Sequence, residues 1–192
     1  MIRKTPKIYF FLKKIVRPLF MIYYNPQIIY NGEIPDEGPV IIAGNHKHLY
    51  DQFFPIFLTK RGIHYLAKKE YFDSKKTRWF FKMMGCIPVD RSKKDPNAKE
   101  CALEVLKDKG AIGIFPEGTR NKTEERLLPF KFGAVSFSKK TNALIVPFAI
   151  SGDYKFRSKN LKVKFGKPFK VKDMPLEEAN QQLYDVINSL LD

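Results

Sequence analysis

Short runs of apolar residues alternate with segments of helical periodicity along most of this chain. The runs that predict strands cover residues 39–43, 64–67, 85–91, 111–115, 144–150 and 161–165, the last of them with the alternation of a half-exposed edge strand. The segments that predict helices cover residues 51–59, 70–84, 95–109, 132–140 and 176–191. This alternation predicts a single-domain, layered α/β fold with a mostly parallel central sheet flanked by helices. A chain of 192 residues is long enough to bury a sizeable core in one such domain.

Polar residues stand at the carboxyl ends of three of the predicted strands, at 44–51, 90–91 and 116–120. In open, mostly parallel sheets, ligands bind beyond the carboxyl ends of the strands. We therefore expect these three polar segments to converge at one side of the sheet.

The first of these segments, with the sequence G-N-H-K-H-L-Y-D, contains His46 and Asp51. If Asp51 is the N-cap of the following helix, its carboxylate can turn back towards the imidazole of His46. A carboxylate that accepts the Nδ1 proton leaves Nε2 free to act as a base. No serine or cysteine nucleophile stands beside the pair, so the attacking group could be a hydroxyl of the substrate itself.

Two alternatives stay open on this motif alone. A histidine near a strand end is more often a hydrogen-bonded structural residue than a base. A metal site formed by His46, His48 and Asp51 is the weaker alternative. The chain has 3 histidines, and the remaining one, His64, lies in a separate apolar stretch.

The charge of the chain is strongly positive, with a formal net value of +15. Such a charge indicates an anionic partner, which can be a nucleic acid, a membrane surface or a phosphorylated ligand. The 2 cysteines, Cys86 and Cys101, have neither metal-site nor disulfide-framework spacing, so a reducing compartment is the simplest interpretation. We find no signal peptide pattern and no apolar run of about 18 residues that would span a bilayer.

Residues 1–24 carry six basic side chains and no acidic one, and apolar residues recur at helical spacing. A basic amphipathic helix rich in phenylalanine is typical of an interfacial anchor, although it can also pack on the protein's own core. The tyrosines at 23 and 24 favour the membrane surface. A similar ambiguity holds for the aromatic residues of 71–84, for which core positions are preferred over a groove near lipid.

Four blocks of residues, in order, resemble the PlsC-like 1-acylglycerol-3-phosphate (lysophosphatidate) acyltransferase family. They are N-H-x-x-x-x-D at 45–51, G-x-I-x-V-D-R at 85–91, F-P-E-G-T-R at 115–120 and V-P-F-A-I at 146–150. The similarity covers about residues 29–170. One position departs from the family pattern, because His48 stands where a small hydroxylic residue is usual.

The resemblance implies a role for each matching residue. His46 would be the general base for the acceptor hydroxyl, and Asp51 would orient it. The implied substrate-binding residues are Arg91, Glu117, Gly118, Thr119, Arg120 and Lys131. Among these, Arg91 and Arg120, with Lys131 as a further contact, would hold the acceptor's phosphate. No metal and no cofactor is implied.

The implied reaction moves an acyl group from acyl-CoA or acyl carrier protein to the free hydroxyl of 1-acyl-sn-glycerol 3-phosphate, which makes phosphatidic acid. A family variant would use another lysolipid or glycerol 3-phosphate. A non-catalytic, basic membrane-binding module is the alternative of another class, and the intact His46–Asp51 pair argues against it. We expect residues 1–28 to be a membrane-surface segment and 29–192 the acyltransferase domain. The expected location is the cytoplasmic side of the cell membrane, attached peripherally, with no nucleic acid partner.

Overall fold

A computed structural model of the chain describes residues 5–90 and 92–192. Within these residues the strands are β1 (Gln27–Tyr30), β2 (Val40–Gly44), β3 (Ile63–Lys68), β4 (Ile87–Val89), β5 (Ala111–Ile114), β6 (Leu144–Ser151) and β7 (Lys162–Phe165). The helices are α1 (Lys7–Tyr24), α2 (Phe53–Leu58), α3 (Glu70–Asp73), α4 (Lys75–Met83), α5 (Pro96–Lys107), α6 (Gly133–Thr141) and α7 (Leu176–Leu190).

The described strands form one seven-stranded sheet in the order β1-β7-β6-β2-β5-β3-β4. Neighbouring strands run parallel except for β6 and β7, which are antiparallel. Parallel neighbours need crossover connections, and here helices supply most of them. The predicted α/β fold with a mostly parallel sheet is therefore confirmed.

The central strand β2 is buried on both faces, which explains its continuous apolar sequence. Ile41 and Ala43 belong to a core that includes residues of α5, α6 and α7. Val40 and Ile42 belong to the opposite core, which is rich in aromatic residues and includes Tyr9 of α1. Because successive side chains of a strand point to opposite faces, one apolar run serves both cores.

Strand β1 is absent from the sequence prediction, and its presence corrects the prediction for 161–165. β7 is not an edge strand, because β1 pairs with it in parallel from Gln27 opposite Lys162 to Tyr30 opposite Phe165. β1 covers residues on both sides of the predicted boundary at residue 28. The division into a surface segment and an acyltransferase domain stays a prediction.

The single helix predicted over 70–84 is wrong, because the chain forms α3 and α4 with a break at Ser74. Ser74 has an extended conformation, with φ −71° and ψ 124°. Side chains of α4 satisfy carbonyl groups at the end of α3: the Arg78 guanidinium donates to Phe72 and Asp73, and the Thr77 hydroxyl donates to Tyr71. These bonds replace the helical ones lost at the break.

The aromatic residues of 71–84 divide between core and surface. Phe72 and Phe81 pack against the aromatic core, as the sequence predicts. Tyr71, Trp79 and Phe80 are 39%, 62% and 37% exposed, so the core prediction is wrong for these three.

Helix α1 packs on the core and also shows an apolar surface. Tyr9 is buried, and the Phe20 ring lies 5.4 Å from that of Phe54 in α2. The Lys13 ammonium donates a hydrogen bond to the Thr59 carbonyl just after α2. The exposed apolar side chains along the other side of the helix include Ile8, Phe11, Ile15, Leu19 and Ile22. Among the described helices, none combines the length and the hydropathy needed to cross a bilayer.

Candidate active site

The loop that follows β2 holds His46 and Asp51 together. Asn45 anchors its start, because the side-chain amide exchanges two hydrogen bonds with the backbone of Ile150 in β6, at 2.9 and 2.8 Å. The backbone N–H of Asn121 donates to the His46 carbonyl at 2.6 Å. His46 Nδ1 lies 2.9 Å from Asp51 Oδ2. The pairing predicted from the sequence is therefore present.

Asp51 reaches His46 by a different route from the predicted one. The N-cap of α2 is Gln52, and Asp51 lies before it in a turn. The Asp51 carboxylate folds back into its own loop, where Oδ2 also accepts the backbone N–H groups of Lys47 and His48, both at 2.7 Å. Asp51 is 1% exposed, so these bonds replace its solvent.

The His46 ring lies against the ring of Phe115, which follows the end of β5. Their centroids are 4.0 Å apart and their planes differ by 10°. Because Asp51 occupies Nδ1, the ring nitrogen left for a substrate is Nε2. His46 lines a cavity of about 270 Å³ at the carboxyl ends of the parallel strands, together with Leu66, Val89, Asp90, Lys93, Gly113, Ile114, Phe115, Pro116, Gly118, Lys131, Gly133 and Phe137.

Glu117 connects the third sequence block to the first. Its Oε1 accepts the backbone N–H of His46 at 2.7 Å, and its Oε2 accepts that of Leu128 at 2.9 Å. Burial raises the pKa of the Glu117 carboxyl, while the two N–H donors oppose the rise. The side chain is thus a bridge between the loop of His46 and the loop after Gly118.

Gly118 and Lys131 lie together at the cavity. Gly118 has φ +72°, a backbone conformation that favours glycine, and a Cβ there would meet the flexible end of the Lys131 side chain at 2.9 Å. The backbone N–H of Lys131 donates a hydrogen bond to the Pro116 carbonyl at 2.8 Å. Thr119 and Arg120 are exposed residues of the same turn and do not line the cavity in the described part of the chain. Arg91 lies outside the described residues.

Comparison with known proteins places this chain in a family. Residues 27–151 match the family model described as Acyltransferase. The chain belongs to the acyltransferase family. A 1-acyl-sn-glycerol-3-phosphate acyltransferase of Bacillus subtilis is 31% identical over 169 residues, which cover 83% of each chain. One from Cocos nucifera is 33% identical over 91% of this chain, which spans 59% of that protein.

A solved structure supports the fold of this acyltransferase. The crystal structure of the 1-acyl-sn-glycerophosphate (LPA) acyltransferase PlsC from Thermotoga maritima matches with a TM-score of 0.69 at 20% identity. The match covers 92% of this chain and 78% of that one. The substrate-binding roles expected for individual residues of this acyltransferase stay predictions.

One residue close to the pair has no signal in the sequence. Tyr154, just after β6, donates its hydroxyl hydrogen to Asp51 Oδ1 at 2.6 Å. It stands in a loop of polar and turn-forming residues, 103 positions from its partner, where no spacing rule applies. His48 also has an unexpected place in this acyltransferase, because its ring stacks on Tyr154 with centroids 4.1 Å apart.

Among the described residues, no cluster of three or more potential metal ligands is found.

Proposed function

We propose that this acyltransferase moves an acyl group from an acyl thioester to the free hydroxyl of 1-acyl-sn-glycerol 3-phosphate and so makes phosphatidic acid. The observation that carries the proposal is the His46–Asp51 pair at a cavity whose lining also includes Lys131 and Lys93. Relatives that span most of this chain bear the name of this activity. A non-catalytic binding module would have no use for an oriented base at a cavity.

The reaction needs no covalent acyl-enzyme. The acceptor hydroxyl gives its proton to His46 Nε2 while its oxygen bonds to the thioester carbonyl carbon. Collapse of the tetrahedral intermediate breaks the carbon–sulfur bond, and the imidazolium returns the proton to the leaving thiolate. Asp51 holds the Nδ1–H tautomer and stabilises the imidazolium that forms between these steps. The absence of an enzyme nucleophile in the sequence block agrees with this direct transfer.

The acceptor's phosphate is bound by cationic side chains around the turn that follows β5. Lys131 lies over Gly118 at the cavity, and Arg120 extends from the same turn. The sequence resemblance adds Arg91 as a third expected phosphate contact. A phosphate monoester carries up to two charges near neutral pH and therefore gains more from these groups than a diester does.

The acyl donor is acyl-CoA or acyl carrier protein, both of which are anionic and suit a protein of net charge +15. It acts as a co-substrate, and the proposed reaction uses no further cofactor and no metal. An apolar groove of about 130 Å³ between α1, α2 and α4 offers space for an acyl chain; it is lined by Tyr9, Leu12, Lys13, Val16, Phe53, Ile56, Phe57, Phe80 and Met84.

The membrane partner is an anionic lipid surface on the cytoplasmic side of the cell membrane, which the protein approaches peripherally. Support comes from α1, where Phe11 and Leu19 are 60% and 65% exposed beside basic residues. Trp79 of α4 adds a second exposed aromatic group, and amphipathic aromatic rings favour the lipid interface. A lipid surface would also present the lysolipid acceptor.

One assay tests the reaction. Purified protein is given either acyl-CoA or acyl carrier protein as donor, with 1-acyl-sn-glycerol 3-phosphate, glycerol 3-phosphate or lysophosphatidylcholine as acceptor. We expect the highest kcat/KM with 1-acyl-sn-glycerol 3-phosphate, since it alone combines a phosphate monoester with an acyl tail. A higher kcat/KM for the diester lysolipid or for glycerol 3-phosphate would contradict the proposed acceptor.

A further inference from the structure

The two oxygens of the Asp51 carboxylate have different partners. Oδ2 accepts three donors: the ring N–H of His46 and the backbone N–H groups of Lys47 and His48. Oδ1 accepts the hydroxyl of Tyr154 at 2.6 Å, the short distance expected for an O–H donor on a carboxylate. The Tyr154 hydroxyl is thus a donor from outside the catalytic loop to a carboxylate that is almost fully buried.

Tyr154 is held in place by rings on several elements. His48 stacks on it with centroids 4.1 Å apart and planes 19° apart. Tyr24 of α1 meets it edge-on at 5.5 Å, and Phe54 of α2 lies at 5.9 Å. His48 is itself fixed, because its Nδ1 accepts the Tyr50 N–H at 3.3 Å. The hydroxyl therefore approaches Asp51 from a defined direction.

The loop that carries Tyr154 is also well defined. Gly152 has φ +87° and packs so closely on the Asn160 carbonyl that a side chain would not fit. The Asn160 side chain accepts the backbone N–H of Asp153 at 3.2 Å and the Ser158 hydroxyl at 2.6 Å. These local bonds set the position of Tyr154 at the carboxyl end of β6.

We propose that Tyr154 is a positioning residue for the transfer reaction, which fixes the Asp51 carboxylate and through it the orientation and tautomer of His46. This inference rests on the proposed function for its kinetic consequences. His48 acts as the support for Tyr154, which gives a reason for an imidazole where the resembling family usually has a small hydroxylic residue. The resembling sequence blocks do not include Tyr154.

The chemistry requires the phenol to remain a donor. Burial, followed by the nearby Asp51 carboxylate, raises the pKa of Tyr154 well above its usual value, so it keeps its proton at every working pH. Without this hydroxyl, Oδ1 of Asp51 would lose a strong donor in a place with little solvent. Without that hydrogen bond the Asp51 carboxylate would attract the His46 imidazolium more strongly. The Asp51 side chain would also lose the contact that fixes its orientation.

The test compares wild-type protein with Tyr154→Phe in acyl transfer from acyl-CoA to 1-acyl-sn-glycerol 3-phosphate over a range of pH. Phenylalanine keeps the ring that stacks on His48, so the fold is retained. We expect kcat to fall about 10-fold with both KM values within about two-fold, the pattern of a lost transition-state interaction. The acid limb of the kcat/KM profile should move to higher pH, because the imidazolium is held more strongly.

Tyr50→Phe is the matched control. The Tyr50 ring belongs to the same aromatic cluster, 6.3 Å from that of Tyr154, and within the described residues its hydroxyl makes no hydrogen bond to Asp51. We expect this variant to keep the wild-type kcat and pH profile. An equal effect of both variants would assign the loss to general loosening of the cluster and overturn the inference.

A second readout is independent of activity. The Nδ1 proton of His46, hydrogen bonded to Asp51, should give a downfield proton resonance that disappears in His46→Gln. It should move in Tyr154→Phe and stay in place in Tyr50→Phe. An unmoved resonance with an unchanged kcat would overturn the inference, and so would a raised acceptor KM with normal kcat. If the wild type transfers no acyl group to this acceptor, the proposed function fails while the resonance still decides the role of Tyr154.

Discussion

Glu117 accepts the backbone N–H of His46 at 2.7 Å, so a carboxylate in the turn after β5 holds the main chain of the residue predicted to be the base. Its other oxygen accepts the Leu128 N–H. The Glu117 side chain therefore joins the loop of His46 to the loop of Leu128 beside the cavity.

Replacing this carboxylate by an amide should damage both stability and rate. Glu117→Gln leaves one carbonyl oxygen for two N–H donors and turns an NH₂ group towards one of them. We expect a loss of about 1–3 kcal/mol in the free energy of unfolding, the usual cost of an unsatisfied buried donor, together with a lower kcat. Chemical denaturation and steady-state kinetics measure both. Glu125→Gln, at an exposed glutamate of the following loop, is the control, and equal behaviour of the two variants would contradict the bridging role.

Removing the base should abolish most of the turnover. We expect His46→Ala to lower kcat by about 10²-fold or more, on the scale of general-base removal. The fold should be retained, because Asp51 keeps its hydrogen bonds to the N–H groups of Lys47 and His48 and to the Tyr154 hydroxyl. Initial rates with both substrates saturating provide the measurement. Near-normal acyl transfer by the folded variant would show that the assigned mechanism is wrong.

Removing the cation of the turn after β5 should weaken binding of the acceptor. For Arg120→Ala we expect an acceptor KM about 10-fold higher with a smaller change in donor KM, since a hydrogen bond to a charged group contributes about 1.5–3 kcal/mol. Lys122→Ala, at an exposed lysine two positions further on, removes an equal charge outside this turn. An effect confined to the thioester donor would place Arg120 in the donor site instead.

The exposed face of α1 should bind anionic vesicles. Changing Phe11 and Leu19 to serine removes two side chains that are 60% and 65% exposed, so the fold should be kept while vesicle binding weakens. Binding of the wild type should also weaken with salt, because the attraction of each basic residue, about 1 kcal/mol near an anionic surface, is screened. Co-sedimentation measures both effects. Phe132→Ser, at an exposed phenylalanine before α6, is the control, and unaltered binding of the α1 variant would exclude this face as the anchor.

Lys13 should make the stability of the protein depend on alkaline pH. Burial, and then the charge of Arg17, lowers the pKa of Lys13 to about 8. Between about 8 and the ordinary 10.5, the unfolded chain holds a proton that the folded chain has lost, so raising the pH through this window stabilises the folded state.

Thermal unfolding over this window provides the test. The unfolding temperature of the wild type, measured relative to that of Lys13→Met, should increase as the pH rises above about 8. Lys14→Met, at the exposed neighbouring lysine, controls for the loss of one charge and should run parallel to the wild type. Parallel curves for Lys13→Met would show that burial does not perturb this ammonium group.

The sequence predicts the sheet and the His46–Asp51 pair because both depend on local patterns. Apolar runs bounded by turn residues identify the strands around the site, and the spacing of the pair places both groups in one loop. Strand β1 is not predicted, because its four residues are mostly exposed and show no alternation of buried and exposed side chains. The break at Ser74 is not predicted either, because the helical periodicity continues on both sides.

Contacts across long sequence distances have no such signal. The Glu117 bond is to the backbone of His46, which every residue type possesses, so the sequence cannot specify it. Tyr154 meets Asp51 only because β6 lies beside β2 in the sheet. Its loop has no periodicity from which that contact follows, and the tertiary arrangement alone brings the two side chains together.

The antiparallel pairing of β6 and β7 affects how enzymes of this design can diverge. Because the chain turns straight back, the connection over 152–161 is a surface hairpin at the same edge of the sheet as the loop of His46, and it contains no crossover helix. Surface loops tolerate substitution and insertion far better than sheets do. Changes in this hairpin can therefore alter the side chain that contacts Asp51 while the sheet beside it stays intact.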